Sequence, residues 1–382
     1  MLPAAPTFGL LTLCNTTDPF PFSPGFNISL VAFVAQTLPT HSWEFGTASE
    51  ALLELFNPHL SVFGSNPFPV PTVPQECIES LEYAASKIVF GTGANGLSDG
   101  DGAVGDPASL GVSAVLLGKT NTTYADAVAE EINYITNIAP RFSNGAISQR
   151  VDVAELWADF MYMAPPFLAY AAADARDLDL LHEVYVQCGL YRQILQSGGG
   201  VWEHIIGPQN QDTGLWSTGN GWAAAGMTRV LATIMKAPVA ASASWRQNAI
   251  SDLTLWIQEI LNNAMTSSFM DDGLLRNYLN DTSGDGHGFG EISGSSMLAA
   301  VAYRMVILRP SIYDEKYISW ADGIRTTLAL HITSAGIATP AVNPLNWDDT
   351  TPFTAGSPEG NNFVVLMYAA WRDCVLLTVC RK

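Results

Sequence analysis

Apolar residues return at helical spacing through most of the chain from about residue 47 onward. The pattern predicts helices over Ala48–Phe56, Gln75–Phe90, Pro107–Leu117, Thr122–Ile138, Val153–Ala173 and Asp177–Leu195. Further helices are predicted over Gly221–Met235, Ser244–Met265, Ser293–Leu308, Ser311–Ile332 and Gly360–Leu377. Few period-two runs compete with them, so the expected class is all-α, with roughly ten to twelve helices and no dividing linker.

These helices alternate between two kinds. One kind carries a charged stripe, as in Thr122–Ile138 with Asp126, Glu130 and Glu131, or Asp177–Leu195 with Asp179, His182, Glu183 and Arg192. The other is almost free of charge, rich in Ala, Gly, Ser and aromatics, and opens with a polar cluster. Those openings are Gly105-Asp106-Pro107, Trp157-Ala158-Asp159, Gly219-Asn220-Gly221, Gly290-Glu291-Ile292-Ser293-Gly294 and Pro358-Glu359-Gly360-Asn361-Asn362. They recur at roughly 50 to 70 residues, the length of a helical hairpin with its loops. A helix that is apolar all round is buried, and one with a charged stripe faces water. The alternation therefore describes an inner ring of helices wrapped by an outer ring, with the polar openings converging on one pocket.

Composition narrows the function. A net charge of −19 without any Lys/Arg cluster argues against nucleic acid as a partner. No run of eighteen or more apolar residues occurs, so no membrane partner is expected. Cys14, Cys77, Cys188, Cys374 and Cys380 are scattered without a CxxC pair, leaving room for one or two disulfides and no zinc motif. Sequons begin at Asn15, Asn27, Asn121 and Asn280, which suits a secreted chain, although Met1–Leu13 lacks the basic start of a signal sequence.

The densest candidate chemistry lies in Asp212-Thr213-Gly214-Leu215-Trp216-Ser217-Thr218-Gly219-Asn220-Gly221-Trp222. Trp216 and Trp222 offer flat faces for sugar rings, Asn220 can bond hydroxyls, and the glycines let backbone approach a ligand. The same tryptophans would serve equally well as core anchors. Asp159, a carboxyl among aromatics and thioethers inside a predicted helix, is the best general acid, because burial raises a carboxyl pKa. Asp106 before Pro107 reads as an ordinary helix cap or as a second site carboxyl. His204, in Val201-Trp202-Glu203-His204, is either a substrate contact or a structural histidine. His287 and Glu291 lack a third ligand, so no metal is assigned, and no cofactor motif is present. Gly118-Lys119-Thr120 fails as a phosphate loop because six residues separate Gly111 from Gly118 where four are needed.

Taken in order, Trp-Ala-Asp-Phe-Met-Tyr-Met-Ala-Pro-Pro-Phe-Leu at 157–168, Trp-Glu-His at 202–204, Gly-Leu-Trp-Ser-Thr-Gly-Asn-Gly-Trp at 214–222 and Glu-Ile-Ser-Gly-Ser-Ser-Met at 291–297 resemble the six-hairpin glycosidases. The nearest likeness is to the unsaturated rhamnogalacturonyl hydrolases, glycoside hydrolase family 105. The resemblance spans about residues 75 to 375 and implies an (α/α)6 barrel over 71–382, with 1–70 as an N-terminal extension packed on it. It further implies removal of a terminal 4,5-unsaturated uronic acid from pectin-derived oligosaccharides by vinyl-ether hydration. Asp159 takes the place of the acid/base Asp and Asp106 that of a second Asp. Trp157, Trp216, Trp222, His204, Asn220 and Thr218 would form the sugar subsite. One departure matters: many relatives have Arg where Thr218 stands, and a hydroxyl is a poor substitute for an Arg–carboxylate clamp. Arg229 or Arg276 could supply the charge, the terminal sugar could differ, or the pocket could bind carbohydrate without catalysis.

Overall fold

A computed structural model describes residues 18–381 apart from 92–94, 284–285, 344 and 350. Cys14 and Asn15 lie outside the described residues. Helices α1 (Ile28–Thr37), α2 (Ser42–Phe56), α3 (Glu79–Lys87), α4 (Gly111–Gly118), α5 (Thr122–Asn133) and α6 (Phe160–Ala175) form the first half. The second half holds α7 (Leu178–Leu195), α8 (Ser217–Lys236), α9 (Arg246–Ala264), α10 (Ile292–Leu308), α11 (Glu315–Leu328) and α12 (Pro358–Leu376). The even-numbered helices pack side by side in sequence order, α4 together with the 3-10 turn Asp106–Leu110 that leads into it, and α12 returns to α2. Each odd-numbered helix packs on the outside of an even-numbered one, α1 against α12. This all-α toroid is the expected arrangement of two concentric rings.

The burial of the inner helices follows from their composition. α8 and α10 are covered nearly all round, whereas α5, α9 and α11 keep an exposed polar face. Small residues set the spacing between inner neighbours. A Cβ on Gly226 would lie 1.8 Å from the Met161 carbonyl oxygen, and one on Gly111 would lie 2.2 Å from the Phe167 ring. Only glycine lets α8 and α6 meet so closely. Side-chain caps begin several of the helices: Asn27 for α1, Asn121 for α5, Asp177 for α7, Glu291 for α10, Asp314 for α11 and Ser357 for α12.

The middle of the ring holds an ion network. Arg229 of α8 donates to Glu50 and Glu54 of α2 and to the Tyr162 hydroxyl, while Arg304 of α10 bridges Glu54 and Asp373. All but Asp373 are buried (the tyrosine too), so each charge depends on its partners there. Cys374 and Cys380 form a disulfide just beyond this network, and Cys188 is a buried thiol.

Two expectations need correction. The boundary at residue 70 does not mark off an extension, because α2 is an inner helix that closes the ring and α1 is its outer companion. The run Ile28–Thr37 is nearly uniformly apolar, which hides its helical period. Asp159 is not inside a helix: the predicted Val153–Ala173 segment divides into the short strand β1 (Leu156–Trp157), paired with β2 (Ile205–Ile206), and α6, which starts after Asp159.

Candidate active site

The N-terminal ends of several inner helices face one cavity of about 320 Å³. His41 and Trp43 come from the start of α2, Asp106 and Gln149 from either side of α4 and α5, and Asp159 from the head of α6. Trp157 and His204 arrive on the β1–β2 pair, Trp216 caps α8, Glu359 opens α12, and Leu345 and Trp347 reach over from the loop before α12.

Asp106 heads its 3-10 turn but does not cap it; its carboxylate accepts a 2.7 Å bond from Gln149 Nε2. Burial lifts this carboxyl to about 7, the Gln149 bond opposing the shift and the Asp159 charge adding to it. Asp159 stands at the head of α6, also without a capping bond, and its Oδ2 lies 3.3 Å from His204 Nε2. Neither of those two facing atoms has an aligned hydrogen-bond partner, an arrangement that a substrate oxygen would complete. On the other side of the ring, His204 Nδ1 lies 2.9 Å from Asp212 Oδ2, which also accepts 2.7 Å from the Tyr278 hydroxyl. Burial alone would lower the imidazole pKa, but Asp159 and Asp212 hold it above its ordinary value. Asp212 resists its own partial burial and stays below the usual carboxylate range through bonds from His204, Tyr278 and the Gly214 amide.

Aromatic rings frame this line of charges. His204 lies under Trp216 with centroids 4.4 Å apart, and Trp347 meets both His204 and Trp157 edge to face at 5.5 and 5.2 Å. Trp157 Nε1 donates to Glu155 at 2.7 Å and Trp216 Nε1 to Asn277 at 2.9 Å, so both indoles are held in place. Burial and the nearby Glu44 carboxylate push Glu359 up to about 8, and Trp43 Nε1 donates to it at 2.9 Å.

Of the residues singled out in the sequence, Asp106, Asp159, Trp157, His204 and Trp216 meet in this cavity, and Asn220, Thr218 and Trp222 do not. Trp222 is a core anchor, packed on Tyr162 at 4.7 Å and Phe363 at 4.4 Å. The Asn220 side chain accepts from the Trp202 amide and donates to the Trp202 and Trp216 carbonyls, pinning the two segments that carry His204 and Trp216. Thr218 is fully buried and bonds Glu291, the cap of α10, at 3.2 Å. The glycines serve packing: a Cβ on Gly221 would lie 3.0 Å from Met297 and one on Gly219 3.1 Å from the Trp216 ring. Arg229 is spent on Glu50 and Glu54, and Arg276 on the Gly288 carbonyl and Asp271, so neither lines the cavity.

The sequence profile of Glycosyl Hydrolase Family 88 matches residues 113–321, more than half of the 382-residue chain. The chain belongs to that family. This family 88 glycoside hydrolase is therefore an enzyme acting on an oligosaccharide. It shares its fold with a possible family 105 member from Salmonella enterica serovar Paratyphi A, at 16% identity, TM-score 0.69, and coverage of 91% of this chain and 93% of that one. A family 105 glycoside hydrolase from C. acetobutylicum is similar at 14% identity, TM-score 0.68, with 91% and 99% covered. An unsaturated glucuronyl hydrolase specific for heparin is similar at 13% identity, TM-score 0.59, with 93% and 97% covered. No curated protein matches the chain in sequence.

Sequence reasoning missed several wall residues of the family 88 hydrolase. His41 and Trp43 lie within the supposed extension, and Gln149, Arg150 and Trp347 sit in loops with no periodicity to mark them. Asp212 opens the Trp-rich motif, and nothing within that motif marks it as the partner of His204. The spacing from His204 to Asp212, across a turn rich in Gly, Asn and Gln, is the signal that could have joined them.

Proposed function

We propose that this family 88 hydrolase removes a terminal 4,5-unsaturated uronic acid from pectin-derived, rhamnogalacturonan-type oligosaccharides, with Asp159 as the acid/base. The observation that carries this reading is the placement of Asp106 and Asp159 on one aromatic cavity with His204 behind Asp159. Two carboxyls of different environment can divide proton donation and charge stabilisation between them. The names of the similar solved structures, a possible family 105 member, a family 105 hydrolase and an unsaturated glucuronyl hydrolase specific for heparin, support an unsaturated uronide as the substrate class.

In this scheme Asp159 delivers its proton to C4 of the C4=C5 double bond, and positive charge develops at C5 and the ring oxygen. Water adds at C5 and returns a proton to Asp159. The resulting hemiketal opens to a ketone, and the hemiacetal left at C1 expels the sugar as an alcohol. Asp106, neutral below about 7 and bound by Gln149, can hold a sugar hydroxyl or the incoming water. His204, fixed by Asp212, stands 3.3 Å behind Asp159 and offers a donor to the substrate. Stacking on Trp216, Trp157 and Trp347 would orient the ring.

One observation favours a second reading, a neutral terminal sugar: Asp101, Asp106, Asp159 and Glu359 crowd the cavity, and the Arg of many relatives is replaced by Thr218. The test is the ultraviolet absorbance of an unsaturated galacturonyl–rhamnose disaccharide incubated with the protein. Loss of absorbance that Asp159→Asn abolishes, with ligand binding kept, supports vinyl-ether hydration. A folded protein that leaves the absorbance unchanged overturns it. The Cys374–Cys380 disulfide and the exposed sequon residues Asn27, Asn121 and Asn280 support secretion into an oxidising compartment.

A further inference from the structure

An anionic substrate entering a cavity lined by four carboxyl side chains needs a cation, and among the described lining residues one arginine and no lysine is present. That residue is Arg150. We propose that Arg150 receives the substrate carboxylate, taking over the task of the arginine that many relatives carry at the position of Thr218. The inference rests on the uronate reading and names the residue that would make it specific.

Three observations support it. First, Arg150 is the least committed guanidinium near the site. Its Nη2 reaches the Asp101 carbonyl at a long 3.4 Å, its Nε is buried without a hydrogen-bond partner, and among the described residues it forms no ion pair. The arginines at the ring's middle are by contrast each paired with two carboxylates. Second, its place is built. Ala103 and Arg150 pair as an antiparallel bridge, the Val151 amide donates to the Gly102 carbonyl, and the Ser148 hydroxyl accepts from the Arg150 amide. The guanidinium lies on Gly102, where a Cβ would come within 2.5 Å of Nη2; Gly102 also has φ +81°, a conformation glycine adopts freely. Third, it is adjacent to the chemistry. Gln149, the preceding residue, holds Asp106, and Arg150 acts electrostatically on that same carboxyl. A carboxylate docked on Arg150 would therefore place the sugar it belongs to beside Asp106, within the wall that also holds Asp159. A guanidinium with free donors can grip a carboxylate with two parallel bonds, which a lysine cannot.

The test compares wild type, Arg150→Gln and Arg150→Lys on the unsaturated uronide and on its methyl ester, both followed by loss of absorbance. Wild type should prefer the free acid. Arg150→Gln should raise KM for the acid roughly ten- to a hundredfold with kcat little changed, the range of a lost charge-assisted bond. KM for the ester should stay the same, so the preference collapses, and Arg150→Lys should keep part of it. An acid-to-ester preference equal in wild type and Arg150→Gln overturns the inference while leaving the hydration reading intact. Should wild type turn over neither compound, the hydration reading fails, and tryptophan fluorescence with galacturonate against galactose decides the role of Arg150. Preference for galacturonate that Arg150→Gln removes upholds the anion site; equal response of wild type to the two sugars overturns it.

Discussion

Replacing Asp106 by Asn should make the protein less active and more stable, and the stability gain should appear only as pH rises. The Asp106 carboxyl moves from an ordinary 3.8 to about 7 on folding, chiefly because burial disfavours its charge. A carboxyl raised in this way binds its proton more tightly in the folded chain. Below the ordinary value both states are protonated and nothing is lost. Between that value and about 7 the unfolded chain has released a proton that the folded chain retains, so stability falls by about 1.4 kcal/mol per pH unit. Above that window the full penalty is in force. The move from 3.8 to about 7 corresponds to about 4 kcal/mol, and partial exposure at the cavity wall reduces it toward about 2 kcal/mol. Asn has no proton to lose and still offers an oxygen to Gln149 Nε2. Wild type and Asp106→Asn should therefore melt together near pH 4. Near pH 8 the variant should lead by about 2–4 kcal/mol, or about 2–5 °C for a chain this long. Thermal melts across that range measure the difference directly. An offset that does not change with pH, or a wild type more stable than the variant near pH 8, would refute the assignment of a costly buried charge to Asp106.

Other substitutions separate the cavity from the core. Trp222→Ala should cost about 3–5 kcal/mol in stability, because the indole is packed on Tyr162 and Phe363. Trp347→Ala, at the cavity mouth and half-buried, should instead raise KM severalfold with little change in melting temperature. Equal thermal losses in the two would contradict that division. Thr218→Arg, which restores the residue of many relatives, should lower soluble yield and melting temperature, since the site is fully buried against Glu291. A well-folded Thr218→Arg protein with improved uronide KM would count against the role given to Arg150.

The sequence carried the fold better than the site. Helices such as α8 and α10, without a charged face, could only be buried, and their alternation with α5, α7 and α9 marked the double ring. Asp159 stood out because a lone carboxyl beside so many apolar side chains is uncommon. Trp216 and Trp222 could not be told apart, since each is an indole among small residues. One sits at the N-cap of α8 against the cavity, and the other lies more than a turn further in, facing the core. Arg150 and Trp347 were invisible because loop residues carry no period, and only the closed ring brings them to Asp106 and Trp157. Thr218 looked like a weakened clamp because its motif position, not its direction, was all that could be read.

The closure of α12 onto α2 has a consequence for how the chain comes to be folded. Glu50 and Glu54 are synthesised early, yet their partners Arg229 and Arg304 follow 179 and 250 residues later, and the helix that completes the ring is the last of all. A nascent chain thus carries α2 beside α3 and the turn into α4 but without α12 for nearly the whole of synthesis. Contacts of such sequence separation slow folding and leave apolar faces open in the meantime. The two acidic residues leave that waiting surface with uncompensated carboxylates until the arginines that pair with them are made. The same pair that closes the ring's middle in the finished protein would then act beforehand as a guard against premature association.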